Sequence, residues 1–128
     1  MIENKHTLDD LFSDSGPFDE AEVVQALHPF ISIQKSTNNI YFRGEKLSAN
    51  QRIIAFGLAK KLLKSKSLIK SEMITAQEIH EKTGLKKGTI DPAFKVLKEK
   101  GLLMGKREYE IPTPKIQDAI SYLTKIPK

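Results

Sequence analysis

The stretch from Thr83 to Leu103, TGLKKGTIDPAFKVLKEKGLL, constrains the fold more than any other part of the chain. Its apolar residues recur at the i, i+3, i+4 and i+7 spacing of one helical face: Ile90, Ala93, Phe94 and Leu97. Gly84 and Gly101 frame this helix, because glycine readily adopts the left-handed conformation that ends a helix. The pattern therefore predicts a short helix with one buried face, whose outward positions are Thr89, Asp91, Pro92, Lys95 and Lys98.

The sequence before this stretch predicts two helices and a hairpin. Residues 19–27 place Val23, Val24 and Leu27 at helical spacing, and Pro29 ends the pattern. The segment FISIQKSTNNIYFR predicts a β-hairpin that turns at residues 37–39. A capping-box pattern, Ser48 with Gln51, then opens a helix through residue 64 whose apolar side chains cover more than half of its circumference. We expect this helix to be central and buried on two sides.

The sequence on either side of the amphipathic stretch completes the pattern. Thr75 and Glu78 form a second capping-box pattern for a helix that ends at Gly84. After Gly101, LLMGKREYEIP predicts a second hairpin that turns at residues 105–107. A last helix begins at Thr113-Pro114 and carries one apolar stripe, formed by Ile116, Ala119, Ile120, Leu123 and Ile126. This stripe is expected to pack on the core or on a second copy, and we favour a homodimer through the C-terminal helix.

Length and charge indicate one domain with an acidic front. A chain of 128 residues buries one core, and we expect a single domain over residues 21–128. Residues 1–30 contain seven acids and one base, a net charge of −6, whereas the remainder contains 20 bases and nine acids, a net charge of +11. Residues 1–20 are expected to be a loosely attached acidic segment with a short helix from Thr7 to Phe12. A basic body favours a polyanionic partner, although a lysine-rich solvated surface explains the charge equally well.

The order of these elements is that of the winged helix-turn-helix: a long helix, a short helix, a tight turn, a second short helix and a basic hairpin. We therefore predict an α+β fold that is mainly helical, with short hairpins. A DNA major groove admits one helix, whose N-terminal end approaches the bases most closely. The predicted contacts are Lys86, Lys87, Thr89, Asp91 and Lys95 on that helix and Lys106 and Arg107 at the tip of the wing. Asp91 before Pro92 is more typical of a helix cap than of a base contact, and both interpretations stay open.

The segment GTIDPAFKVLKEKGLL resembles the recognition helix of PadR-type winged-helix regulators, and it also resembles segments of archaeal winged-helix proteins with a Gly-Gly-Thr motif. The resemblance covers about twenty residues strongly and residues 73–126 loosely. It implies duplex DNA binding, transcription regulation and, for PadR regulators, dimerisation through helices outside the DNA-binding winged helix. The chain departs from the pattern at Asp91, where Tyr or Arg is common, in its shorter wing and in its first 45 residues.

Other functions find less support in the sequence. His6, His28 and His80 lie far apart and show no metal-ligand spacing, and the chain contains no cysteine. Nucleotide-binding and hydrolase motifs do not occur, so we expect no enzyme, no cofactor and no metal. The longest apolar run, residues 53–59, is too short to span a membrane, and the polar first eleven residues predict a cytoplasmic protein. The main alternative is a winged-helix module that binds protein in a replication complex or another macromolecular assembly.

Overall fold

The computed structural model describes residues 18–43 and 47–124. This part contains five α-helices and two antiparallel hairpins, which confirms the predicted α+β class. The predicted helix from Thr7 to Phe12 lies outside the described residues. In chain order the elements are α1 (Glu20–Leu27), β1 (Ile31–Ile33), β2 (Ile40–Phe42), α2 (Ala49–Ser65), α3 (Ala76–Thr83), α4 (Lys87–Glu99), β3 (Met104–Gly105), β4 (Tyr109–Glu110), a 3-10 turn (Thr113–Lys115) and α5 (Ile116–Thr124).

Helix α2 is the centre of the core. Its start is fixed by the predicted capping box, in which the Gln51 amide donates to Ser48 Oγ at 3.2 Å and the Ser48 amide donates to Gln51 Oε1 at 3.0 Å. Eleven of its residues are buried, and α1, α3, α4 and α5 all pack on it. The expectation of a central helix is confirmed.

Helix α1 and the first hairpin cover one side of α2. Asp19 caps α1 by accepting a hydrogen bond from the Glu22 amide, and Val23 and Leu27 are buried. Val24 is 47% exposed, so its predicted place on the buried face is wrong; it lies one residue, or about 100°, beyond Val23. The hairpin pairs Ile33 with Ile40 and turns through residues 34–39, which confirms the predicted turn.

Helices α3 and α4 form the predicted pair with a tight turn. The Glu78 amide donates to Thr75 Oγ1 at 3.1 Å, but the Glu78 carboxylate accepts from Lys60 Nζ at 2.8 Å instead of completing a capping box. Gly84 ends α3 in the left-handed region with φ +79°. Helix α4 begins at Lys87, so Asp91 is its fifth residue and the prediction that Asp91 caps it is wrong.

The second hairpin is short and is extended by one further pairing. Gly105 has φ +132°, and β3 pairs with β4 through Met104 with Glu110 and Gly105 with Tyr109. Ile74, which lies between α2 and α3, forms an antiparallel bridge with Tyr109 through backbone hydrogen bonds of 2.7 and 2.8 Å. This single bridge ties the second hairpin to the segment that leads into α3.

Helix α5 packs on the core of its own chain. Four members of the apolar stripe are buried: Ile116, Ala119, Ile120 and Leu123. The fifth, Ile126, lies outside the described residues. The helix contacts α2 and α1, and Gln51 Nε2 donates to its Tyr122 and Leu123 carbonyls. Intramolecular packing thus accounts for the stripe, and the predicted homodimer loses the observation on which it was based.

None of the helices in the described part of the chain is long and apolar enough to cross a membrane.

Candidate nucleic-acid interface

The face of α4 that lies opposite its buried side carries only small side chains in its N-terminal half. Helical residues are about 100° apart, so the direction opposite the buried face is occupied by Gly88, Pro92, Lys95 and Glu99. All four are exposed. Gly88 has no side chain and Pro92 has a compact ring, and therefore another molecule can approach the helix backbone closely at this point.

The first turn of α4 favours an anion. Lys86 occupies the N-cap position and makes no side-chain cap hydrogen bond. The Thr89 and Ile90 amides donate to the Lys86 carbonyl at 2.8 and 3.0 Å, whereas the amides of Lys87 and Gly88 have no acceptor among the described residues. Free amides and the helix dipole give this end partial positive charge, to which the lysines add.

The five predicted cations carry unpaired charge. Lys86, Lys87, Lys95, Lys106 and Arg107 are all exposed, and none forms an ion pair with a described residue. Four other lysines do form such pairs: Lys60, Lys61, Lys66 and Lys115. Residues 86–110 expose seven cations against three acids, so the surface of α4 and the second hairpin is net positive.

Asp91 is one of three exposed acids on α4 and the second hairpin, with Glu99 and Glu108. It is exposed and lies one turn from Lys87 and one turn from Lys95, yet it makes no ion pair within 4 Å to a described residue. Since it does not cap the helix, its carboxylate is free to accept a hydrogen bond from a ligand. It also reduces the positive potential of the face on which it lies.

An aromatic contact places the second hairpin beside α4. The rings of Phe94 and Tyr109 lie with their centroids 4.3 Å apart and their planes at 31°. Arg107 precedes Tyr109 by two residues, so the two Cα atoms are within about 7 Å. Lys87 precedes Phe94 by nearly two turns, about 10 Å along the same side of the helix. The ring contact thus joins α4 and the second hairpin, the two elements that carry the predicted cations.

The turn between α3 and α4 is fixed by residues whose role sequence patterns did not reveal. His80 Nδ1 lies 2.7 Å from the Leu85 carbonyl oxygen, and the Leu85 amide donates to Thr83 Oγ1 at 3.2 Å. Arg52 Nη1 on α2 donates to the Thr83 carbonyl at 3.5 Å. A histidine in the last turn of a helix before glycine is a signal for such a contact. These three side chains set the direction in which α4 leaves the turn.

A separate charged cluster lies at the base of the hairpin. Buried Lys61 donates to the Glu72 carboxylate at 2.5 Å, and Glu110 lies beside Glu72. The hydrogen bond shared with Glu72, and then burial, raise the pKa of Glu110 above its ordinary value. Burial also raises the pKa of Glu72, but the hydrogen bonds from Glu110 and Lys61 outweigh it and leave this pKa below its ordinary value. The two carboxyl groups thus share a hydrogen bond that raises the pKa of Glu110 and lowers that of Glu72.

Metal ligands and known relatives give no further guide. In residues 18–43 and 47–124 no group of three or more His, Cys, Asp or Glu side chains is placed to hold a metal ion. Comparison with protein-family models, with curated proteins and with solved structures found no match for this chain.

Proposed function

We propose that this chain is a winged helix-turn-helix protein that binds duplex DNA and regulates transcription, as its likeness to PadR-type regulators suggests. Helix α4 is the recognition helix, and the β3–β4 hairpin is the wing. The observation that carries the proposal is the unpaired positive charge of Lys86, Lys87, Lys95, Lys106 and Arg107 around the packed base of the wing. Phosphates supply most of the affinity in such complexes, and exposed cations without partners are suited to bind them.

The shape of α4 supports insertion into the major groove. That groove is about 12 Å wide, close to the diameter of a helix with its side chains. Gly88 and Pro92 leave little side-chain bulk on the N-terminal half of the outward face, and Lys95 lies further along the same face. Thr89 and Asp91 flank this line, where the Thr89 hydroxyl and the Asp91 carboxylate can contact base edges.

A protein-binding module is the second candidate, because the same face has features that DNA does not need. Asp91 and Glu99 are both exposed on α4, and Val96 is 38% exposed between them. Two acids and an apolar side chain fit a protein surface better than a phosphate backbone. On this alternative, the lysines would contact acidic side chains of the partner.

A salt titration of DNA affinity tests the proposal. Five phosphate contacts predict that log affinity falls with log salt with a slope of about −4.5, at about 0.9 per contact. Neutralising one contact, as in Lys87→Gln, should make the slope less steep by about 0.9. Lys35→Gln is the matched control, because Lys35 is an exposed lysine outside α4 and the wing.

Fluorescence anisotropy with duplexes of random and of selected sequence provides the measurement. The charge reversal Lys87→Glu with Arg107→Glu should abolish binding at moderate salt. Unchanged affinity of this double variant for every duplex would show that the surface is assigned wrongly. If the purified chain bound no duplex even at low salt, the protein-binding alternative would replace the proposal.

A further inference from the structure

An open groove of about 750 Å³ lies on the side of the wing away from α4. Tyr109 faces Phe94, so its neighbour Glu110 and the paired Met104 point to the opposite face of the hairpin. The groove is bounded there by the C-terminal end of α2, the loop before Ile74 and the start of the 3-10 turn. None of the described residues that line it belongs to α4.

The groove is lined by both apolar and positively charged side chains. Phe18, Met73 and Met104 contribute apolar surface, and Met104 is 50% exposed. Lys64 and Lys70 stand at the rim, exposed and without an ion pair to any described residue. Methionine side chains adapt readily to different apolar partners, so these residues suit contact with a segment that carries a few large apolar residues.

The charged cluster inside the groove does not cancel the charge of the rim. Lys61 forms its ion pair with Glu72, and Glu110 shares a hydrogen bond with Glu72. Even with both carboxyl groups ionised, this cluster of one lysine and two glutamates has a net charge of −1, against +2 for Lys64 and Lys70. The described residues that line the groove therefore keep a net positive charge for a ligand.

We propose that the acidic segment of this chain, residues 1–17, docks in this groove. Its four acids against one base, Lys5, complement the rim: Glu3, Asp9, Asp10 and Asp14. Its large apolar residues can contact the apolar side chains of the groove: Leu8, Leu11 and Phe12. The segment joins the described part of the chain at Phe18, which itself lines the groove.

The covalent connection makes even a weak contact effective. Phe12 precedes Phe18 by six residues, which reach up to about 20 Å, so the apolar part of the segment can extend along the groove. A short tether gives an effective concentration in the millimolar range. Docking here leaves the exposed face of α4 free. The alternative is that the acidic segment binds the lysines of α4 and competes with DNA for that face. The proposal does not depend on DNA binding.

Methionine methyl NMR on the full-length chain tests this proposal. The chain has three methionines, Met1, Met73 and Met104, and two of them line the groove. It has no cysteine, so Thr7→Cys gives a single site for a spin label. Docking should cause a loss of intensity at both groove methyl signals, and Lys64→Glu with Lys70→Glu should restore most of it.

A second double variant controls for net charge. Lys35→Glu with Lys82→Glu changes the net charge by the same amount outside the groove, and it should leave the loss of methyl intensity unchanged. Equal losses in all three labelled proteins would overturn the proposal, since simple tethering would then explain them. Losses concentrated at α4 amides would also overturn it and would favour competition for the DNA-binding face. Amide spectra of both double variants check that the fold is intact.

Discussion

Replacing Gly57 with Ala probes how closely the segment after the second hairpin packs against the central helix α2. Gly57 lies in the middle of α2, and a Cβ atom there would lie 3.0 Å from Cδ1 and 3.2 Å from Cγ1 of Ile111. Ile111 directly follows β4 and is 1% exposed, so its side chain has little room to move. The missing side chain at residue 57 thus allows Ile111, in the segment after the second hairpin, to approach α2 closely.

The expected change is the difference between two opposing effects. Glycine to alanine in a helix interior stabilises by about 1 kcal/mol where space is free. Overpacking a close contact in a core costs about 1–3 kcal/mol. We therefore expect Gly57→Ala to lower the free energy of unfolding by about 0–2 kcal/mol. For a domain of this size, 1 kcal/mol corresponds to about 4 °C in the thermal midpoint.

A double-mutant cycle with Ile111→Val isolates the contact. Valine removes Cδ1, the atom nearest to the new methyl group, and alone should cost about 0.5–1.5 kcal/mol. In the double variant the alanine methyl fills part of the space left by Cδ1. The two changes should then couple favourably by about 1 kcal/mol, within the range found for residues in contact.

Gly88→Ala is the matched control within α4. A Cβ atom at Gly88 would meet nothing within 4 Å, so this change should stabilise by a few tenths to about 1 kcal/mol. The added methyl group places bulk on the part of the face that is proposed to approach the major groove most closely. DNA affinity should therefore fall although stability increases.

Urea denaturation followed by far-ultraviolet circular dichroism measures these free energies, since the chain contains no tryptophan to serve as a fluorescent probe. If Gly57→Ala stabilised the protein as much as Gly88→Ala and showed no coupling to Ile111→Val, the close approach of α2 and Ile111 would be refuted.

Three further predictions concern pH, charge and assembly. The pKa of Glu110 is raised in the folded state, so the contribution of this group to stability is present below its unfolded pKa and is lost as pH rises through the folded pKa. Glu110→Gln lacks this titration, and its thermal midpoint should therefore fall less than that of the native chain from mildly acidic to neutral pH. Equal falls in thermal scans would contradict this prediction. Asp91→Asn should strengthen binding to random duplex in anisotropy titrations by removing a negative charge, and a selective loss of affinity for one sequence would instead assign Asp91 to base contact. Light scattering should give the monomer mass of 14.4 kDa, because the apolar stripe of α5 is buried within its own chain, and a mass of twice that value would restore the dimer.

Local patterns predicted most of the elements because their causes are local. The capping box of Ser48 and Gln51 and the glycine stop at Gly84 each involve residues within one turn of the element they define. The buried face of α4 follows from the period of a helix, and the exposure of its lysines follows from the same period. Val24 was misplaced because an apolar residue next to a buried one satisfies a loose reading of that period.

Contacts between distant residues could not be predicted in this way. The bridge of Ile74 with Tyr109 joins positions 35 residues apart, and a single bridging pair leaves no alternating pattern in the sequence. The same holds for the contact of Arg52 with the Thr83 carbonyl and for the cluster of Lys61 with two glutamates. Each depends on which side chains the packing of α2 brings together, and charge patterns along the chain do not specify that.

The misassigned Asp91-Pro92 pair shows how a local rule can fail within a correct fold. Proline inside a helix removes the hydrogen bond to the carbonyl four residues earlier and crowds that carbonyl, at a usual cost of about 3 kcal/mol. Here that carbonyl belongs to Gly88, an exposed residue in the first turn, so water can replace the lost bond. Gly101 and the apolar residues of α4 then hold a helix that already began at Lys87, before the proline. The resulting exposed stretch has small side chains and is the part of α4 best suited to close contact with a ligand. The residues that misled the prediction of the helix start therefore also shape its candidate binding face.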